Sequence, residues 1–139
     1  MSFGEIYQIA GAGMNAQTIR LNTVASNIAN AGTAAETPEQ AYRAMKPVFA
    51  TVYEQFKQNS TQGASVEVMG IVQTSAPLDL RYEPNHPYAD EQGYVAYSNV
   101  NTIDEMADMM AASRSFETSV EIMNRARSMQ QGLLQLGGN

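Results

Sequence analysis

The sequence contains no cysteine and has few positive charges. Without cysteine the chain cannot form a disulfide, a thiolate zinc site or a cysteine nucleophile. Its 8 Lys and Arg residues are outnumbered by 14 Asp and Glu residues, which gives a net charge of -6. The basic residues are also scattered, whereas proteins that bind nucleic acids or anionic membranes need them clustered. We therefore expect no nucleic-acid partner and no direct insertion into a membrane.

Long apolar runs and a secretory signal are also missing. No apolar stretch approaches the roughly 20 residues that a membrane-spanning helix needs. The first positive side chain is Arg20, so the N-terminus lacks the basic region of a signal peptide. We expect a soluble chain, and any export would follow a route that leaves the N-terminus uncleaved.

The first 30 residues have the pattern of one long helix. Ser2 and Glu5 have the spacing of a capping box, in which each residue binds the backbone amide of the other. Apolar side chains then recur at steps of three and four, which is typical of a helix that packs along a partner helix. This stripe contains Phe3, Tyr7, Ala10, Met14, Leu21, Val24 and Ile28, with Gln17 as its one polar member.

A second long helix is predicted for residues 103–136. Thr102 and Glu105 have the spacing of another capping box. The apolar stripe of this helix is wider than one partner helix requires, which indicates more than one packing partner. Five of the nine methionines lie on it, and they either fill an ordinary core or adapt to contacts between non-identical subunits.

The middle of the chain is predicted to contain short strands. Residues 65–74 and 78–82 have strand patterns, residues 48–56 are predicted as a further strand, and residues 83–93 have the composition of a loop. The expected fold is therefore mainly α with a small β insertion. The two terminal helices would pair as a coiled-coil-like hairpin.

The predicted helices and strands divide the chain into two parts. Residues 1–32 and 102–139 would form a helical core domain, and residues 33–101 a small β-containing insertion. The two helices are too long for the small middle region to cover their apolar surface. Full burial of that surface would require other subunits.

His86 is the single histidine, and Asp90 follows it in the predicted loop. The pair allows a hydrolytic interpretation and a structural one. Neighbouring prolines hold the segment extended, and no second histidine is present to complete a typical metal site. We therefore expect His86 to be a hydrogen-bonded loop residue.

Several segments together resemble the flagellar rod and hook proteins. They are residues 20–31, 42–43, 47–49, 99–101, 105–106, 112–117 and 124–126. Residues 83–95 resemble a loop typical of the proximal rod proteins within that family. At Ser119 this chain departs from the family, whose members more often have an asparagine there.

The resemblance implies a structural subunit of the flagellar basal-body rod, without catalytic residues, cofactor or metal. Such subunits polymerise by helix packing into the tubular drive shaft and export channel, in the periplasmic part of the basal body. The implied partners are copies of the same chain, other rod proteins, the rod-to-MS-ring adaptor, the MS ring and the type III export apparatus.

Residues at subunit interfaces are expected on both helices. They are Leu21, Asn22, Val24, Asn27, Ile28, Asn30, Met106, Met109, Met110, Phe116, Val120, Met123, Leu133 and Leu136. Six of them are predicted to form the seam between the two helices: Leu21, Val24, Ile28, Phe116, Val120 and Met123. Met109, Met110, Leu133 and Leu136 are predicted to contact neighbouring subunits. The three asparagines either bind neighbouring subunits or are solvated helix positions and a helix-end cap.

Two other functions compete with a rod subunit. A helical adaptor or export chaperone would use the same helices to bind a client without polymerising. A small hydrolase would use His86 and Asp90.

Overall fold

The computed structural model describes residues 2–55 and 62–137, which form two helices and five strands. The elements are α1 (Phe3–Ala29), β1 (Ala34–Ala35), β2 (Met45–Gln55), β3 (Gln62–Gln73), β4 (Asp79–Tyr82), β5 (Tyr94–Tyr97) and α2 (Thr102–Gly137). This order confirms the mainly α fold with a small β region between two long terminal helices. The predicted strand at 48–56 is part of β2, although residue 56 lies outside the described residues.

The two helices begin in different ways. At α1 the predicted capping box is confirmed, because Ser2 Oγ accepts from the Glu5 amide and Glu5 Oε2 accepts from the Ser2 amide. At α2 the predicted box of Thr102 and Glu105 is wrong. There Asn101 Oδ1 accepts from the Ile103 amide at 3.0 Å, which satisfies a free donor of the first turn. The Glu105 side chain points into the protein instead.

Helices α1 and α2 pack side by side and run antiparallel. Tyr7 Oη donates to Gln130 Oε1 near the start of α1, and Asn27 Nδ2 donates to Glu105 Oε2 near its end. Small side chains form much of the seam between them. A Cβ added to Gly13 would come within 3.5 Å of Ser119 Oγ, so the two backbones approach closely at this point. The buried alanines of the two helices are Ala10, Ala16, Ala112 and Ala126.

The strands form two separate antiparallel sheets. Strands β2 and β3 pair along their whole length as a two-stranded ribbon, with a bulge between Val48 and Phe49, and the ribbon packs on α1. In the second sheet β5 lies between β1 and β4. The sequence analysis did not predict β1 or β5. The Ser98 hydroxyl donates to the Ala31 carbonyl at 2.6 Å, which joins the end of this sheet to the segment after α1.

The predicted loop at residues 83–93 is confirmed as the connection between β4 and β5. Asp90 Oδ1 accepts from the amides of Gln92 and Tyr94, and the Glu83 amide donates to the Gly93 carbonyl. Gly93 has φ +84°, a conformation that side-chain-bearing residues rarely adopt. A Cβ at this position would lie 2.9 Å from Tyr82 Cε2. The glycine is therefore required both by the backbone and by the packing.

We predict that Gly93→Ala lowers the free energy of unfolding by about 1–3 kcal/mol, because the variant combines a left-handed backbone with a clash. Gly11→Ala is the matched control: nothing lies within 4 Å of a Cβ at Gly11, and its backbone is helical. The control substitution should raise the free energy of unfolding by up to about 1 kcal/mol. Urea unfolding followed by circular dichroism measures both changes. A stability for Gly93→Ala equal to that of the unmodified chain would contradict the assigned loop geometry.

Candidate subunit interface

Asn27 lies at the point where α1, α2 and the β2–β3 ribbon meet. Its side chain is fully buried, at 0% exposure. Its Nδ2 donates to the Met45 carbonyl at 2.8 Å and to Glu105 Oε2 at 3.0 Å. Its Oδ1 accepts from the Met45 amide at 2.9 Å and from Tyr42 Oη at 3.0 Å. All the hydrogen-bonding capacity of this amide is therefore used inside the subunit.

A group of charged side chains continues from Asn27 toward the surface. Lys46 Nζ donates to Glu105 Oε1 at 2.9 Å and to Asp108 Oδ2 at 3.0 Å. Arg20 Nη2 donates to Asp108 Oδ1 at 2.7 Å. Two acids and two bases thus form one chain of ion pairs that links both helices to β2. We call Asn27 together with Arg20, Lys46, Glu105 and Asp108 the polar hub.

The hub changes the pKa of two of its members. The hydrogen bond from Lys46 holds the pKa of Asp108 below its usual value of 3.8. Burial acts in the opposite direction, and Arg20 adds to the lowering. For Lys46 partial burial acts to lower the pKa, but Glu105 and Asp108 together raise it above its usual value of 10.5. Both charged forms are therefore favoured in the folded protein.

The structure corrects the predicted interface at Asn27. Asn27 and Val24 are buried within the subunit, at 0% and 2% exposure, so a neighbouring subunit cannot contact their side chains. For Val24 this burial is compatible with the predicted seam between the two helices. Asn27 is neither a solvated position nor a contact to a neighbour. Asn30 caps α1, because its Nδ2 donates to the Ser26 carbonyl at 2.8 Å. Asn22 is exposed.

The remaining predicted residues lie at the surface to different degrees. The half-buried ones are Leu21, Ile28, Met109, Phe116 and Met123. The exposed ones are Met106, Met110, Val120, Leu133 and Leu136. Leu133 and Leu136 are 58% and 80% exposed at the far end of α2, where we expect contacts between subunits.

The distribution of side-chain size between interior and surface is unusual. In the described part of the chain, the buried apolar residues are seven alanines and two valines. Large apolar side chains instead cover the outside of α2 and both strands of the ribbon. Their exposed members on α2 are Ile103, Met106, Met110, Val120, Ile122, Met129, Leu133, Leu134 and Leu136. Large apolar side chains exposed in this number on one helix indicate an interaction site.

The other candidate sites have simple structural roles. His86 Nδ1 accepts from the Tyr88 amide at 3.1 Å, and the two rings pack edge to face, which confirms a hydrogen-bonded loop histidine. Within residues 2–55 and 62–137 no three His, Asp or Glu side chains are grouped as metal ligands would be. Neither described helix is long and apolar enough to cross a membrane.

Comparison with known proteins places this arrangement in a family. Residues 8–34 match the family described as flagella basal body rod protein, and residues 91–136 match the flagellar basal body rod FlgEFG protein C-terminal family. The flagellar basal-body rod protein FlgC of Escherichia coli O157:H7 is 40% identical over 99% of both chains. FlgC of Salmonella typhimurium is 39% identical over 99% of both, and FlgC of Borreliella burgdorferi is 32% identical over 92% of this chain and 93% of its own. The chain belongs to the flagellar basal-body rod protein family.

Family membership decides between the functions considered from the sequence. The protein is a structural subunit of the flagellar basal-body rod, and it is not an enzyme, which excludes the hydrolase based on His86 and Asp90. Rod proteins assemble with other rod proteins, so the exposed apolar surface of α2 has partners available in the family. The resemblance to proximal rod proteins read from residues 83–95 is confirmed by the FlgC relatives.

Sequence reasoning missed the polar hub, although it had singled out some of its residues. Asn27 was a candidate interface residue, and Glu105 was part of a family segment and was assigned to a helix cap. Lys46 was not considered. One available signal was a seven-residue spacing on α2. The small residues Ala112, Ser119 and Ala126 recur every seven residues on the face toward α1, and Glu105 lies seven residues before the first of them.

We predict that Asn27→Leu lowers the free energy of unfolding by roughly 3 kcal/mol or more, because it leaves several buried polar groups without partners. Asn22→Leu is the matched control, since Asn22 is exposed on the same helix, and its effect should stay within about 0.5 kcal/mol. Guanidinium chloride unfolding gives both values. Equal stabilities of the two variants would show that the hub contributes nothing specific.

We also predict that stability falls at both ends of the pH range. The lowered pKa of Asp108 stabilises the fold above pH 3.8, and this contribution is lost as pH falls through the folded-state pKa. The raised pKa of Lys46 stabilises the fold below pH 10.5, and this contribution is lost as pH rises through the folded-state pKa. Both side chains are partly exposed, at 30% and 46%, so solvent weakens the effects. Below pH 4 the melting temperature of Asp108→Asn should fall less than that of the unmodified chain. If the two proteins show the same dependence of melting temperature on pH, Asp108 does not have this role.

Proposed function

We propose that this rod subunit polymerises through the exposed apolar surface of α2, packing on copies of itself and on other rod proteins to build the tubular drive shaft and export channel. The single observation that supports the proposal is the inverted distribution of side chains, with alanines inside and leucines, isoleucines and methionines outside. Burial of apolar surface contributes about 25 cal/mol per Å². Burying these side chains between subunits would therefore stabilise an assembly by free energy that a lone subunit does not gain.

The geometry of such an assembly follows from the shape of the subunit. A tube forms when each subunit presents one patch to a different patch on the next, because such contacts need not close into a ring. The outer residues of α2, including Met106, Met109 and Met110, supply one set of contacts. Leu21, Ile28, Phe116, Val120 and Met123 flank the helix seam and are available to a second set. Asn22 contributes a polar contact on the outside of α1.

The two-part division of the chain suits this role. Residues 1–32 and 102–139 act as the helical core domain that carries the inter-subunit contacts. Residues 33–101 act as an insertion, and its exposed residues, such as Tyr82 and Tyr88, face outward from the helix pair.

The other partners of the subunit and its location belong to the same proposal. The subunit reaches the periplasmic rod through the type III export apparatus. At its base it meets the rod-to-MS-ring adaptor and the MS ring. It uses no cofactor.

A direct test is to delete the gene and to purify basal bodies from strains with and without a labelled copy. Basal bodies should lack the rod in the deletion strain, and a swimming deletion strain would overturn the proposal.

We predict that replacing both Leu133 and Leu136 with Asp abolishes rod assembly while leaving the subunit folded. Both residues are largely exposed in the subunit, so the fold loses little, but in an apolar contact each charge would cost several kcal/mol. Motility in soft agar and electron microscopy of basal bodies measure the effect.

The matched control replaces Gln131 and Gln135 with Asp, which adds the same two charges to exposed positions of the same helix end. Each glutamine is two residues from Leu133 and therefore lies on the opposite side of α2 from it. This control should retain most of its motility. If the leucine variant swims as well as the glutamine variant, the end of α2 is not a polymerisation surface.

A further inference from the structure

The last turns of α2 extend past the start of α1. Helix α2 has 36 residues against 27 in α1. Gly13 lies against Ser119 in the antiparallel pair, so Phe3, ten residues before Gly13, lies beside about residue 129, and the overhang follows that point. Leu133, Leu134 and Leu136 in this overhang are 58%, 71% and 80% exposed. No charged side chain occurs from residue 128 to residue 139. We call the side chains of Leu133, Leu134 and Leu136 the tip.

An apolar groove runs between α1, the β2–β3 ribbon and α2. Its volume is about 530 Å³, and it is open to the surface. Ile6, Ile9 and Gly13 line it from α1, Val66 from β3 and Ile122 from α2. No residue that lines it carries a charge. The groove is therefore large enough and apolar enough to accept the leucine side chains of one helical turn.

We propose that, in the assembled rod, the tip of one subunit occupies the groove of a second copy of this chain. The inference rests on the proposed function, since it names the contact through which copies pack. Charge selects the two surfaces: copies with a net charge of -6 repel each other, and a contact without charged side chains avoids both close repulsion and the desolvation of ions. The tip and the groove are both surfaces of this kind.

A subunit cannot fill its own groove. Ile122 and Leu136 lie on one continuous helix, so they are separated by roughly 21 Å at 1.5 Å rise per residue. The tip must therefore insert into another molecule. Because the tip and the groove are different patches, the contact is heterologous, and it can repeat from copy to copy without closing.

The absence of cysteine allows a direct test by disulfide cross-linking. Ile122→Cys and Leu136→Cys are combined in one chain that replaces the chromosomal copy, and basal bodies are treated with a mild oxidant. The two sites within one chain are too far apart to form a bridge, so a bond between them must join two molecules. We expect disulfide-linked dimers and higher species of this chain on a non-reducing gel.

The control carries Asn124→Cys with Leu136→Cys, since Asn124 is exposed on the opposite side of α2 from Ile122. The control should lose most of the cross-linked product. Swimming cells in which the test pair forms no more dimer than the control would overturn the inference but leave the proposed function standing. Cross-linking of the tip to a different rod protein would likewise overturn the assignment of a second copy as the occupant.

If the cysteine variants do not assemble, a charge-swap experiment tests the same contact. Ile122→Asp and Leu136→Lys should each cause a loss of motility, because each places one charge in an apolar contact, while circular dichroism of the purified variants should show intact helices. The combined variant should regain motility if the two side chains meet. Failure to regain motility, or normal motility of both single variants, would overturn the inference. The proposed function is tested separately, because it fails if cells without the chain still build rods.

Discussion

The hydrogen bond between Asn27 and Glu105 determines how the two long helices are aligned. A seam of alanine, glycine and serine allows close approach, but small side chains repeat along both helices and would tolerate a shift by one turn. A buried carboxylate does not tolerate such a shift, because leaving it without partners costs several kcal/mol. Asn27 on α1 and Lys46 on β2 supply those partners in one alignment only. The same asparagine binds both backbone groups of Met45, so the position of the ribbon depends on the same interaction.

The overhang of α2 and the groove beside α1 are consequences of that alignment. With Asn27 placed against Glu105, the shorter helix ends before the longer one, and the leucines after Gln130 lie beyond most of α1. With the ribbon held at Met45, its strands lie along α1 and form one wall of the groove. A polar contact at one end of the helix pair thus determines the apolar surfaces at the other end. Small interior side chains make the subunit thin, and they leave the large ones for contacts with neighbours.

The helices could be predicted because their signals are periodic and extend over many residues, whereas the polar hub could not. The spacing of Thr102 and Glu105 is that of a capping box, and only the folded chain shows that this carboxylate turns toward α1. Asn22, Asn27 and Asn30 look alike in the sequence, yet one is exposed, one is fully buried and one caps a helix. Strand β1 has two residues and exists only because β5 lies beside it, so it has no pattern of its own. Gly93 was included in a predicted loop, but only the folded chain shows its left-handed backbone and the Tyr82 and Pro84 side chains that leave no room for a Cβ.

Charge explains why the internal hub and the external contacts have opposite character. The hub contains two acids and two bases, so it adds nothing to the net charge of -6, which arises from side chains elsewhere. Repulsion between acidic copies acts over about 10 Å at moderate salt and opposes assembly. Apolar attraction acts only at contact, so it outweighs this repulsion where the facing surfaces carry few charges. The end of α2 satisfies that condition after Arg127, because residues 128–139 contain no Asp, Glu, Lys or Arg. Directional polar contacts therefore specify the fold of the subunit, and uncharged apolar surfaces remain available for its neighbours.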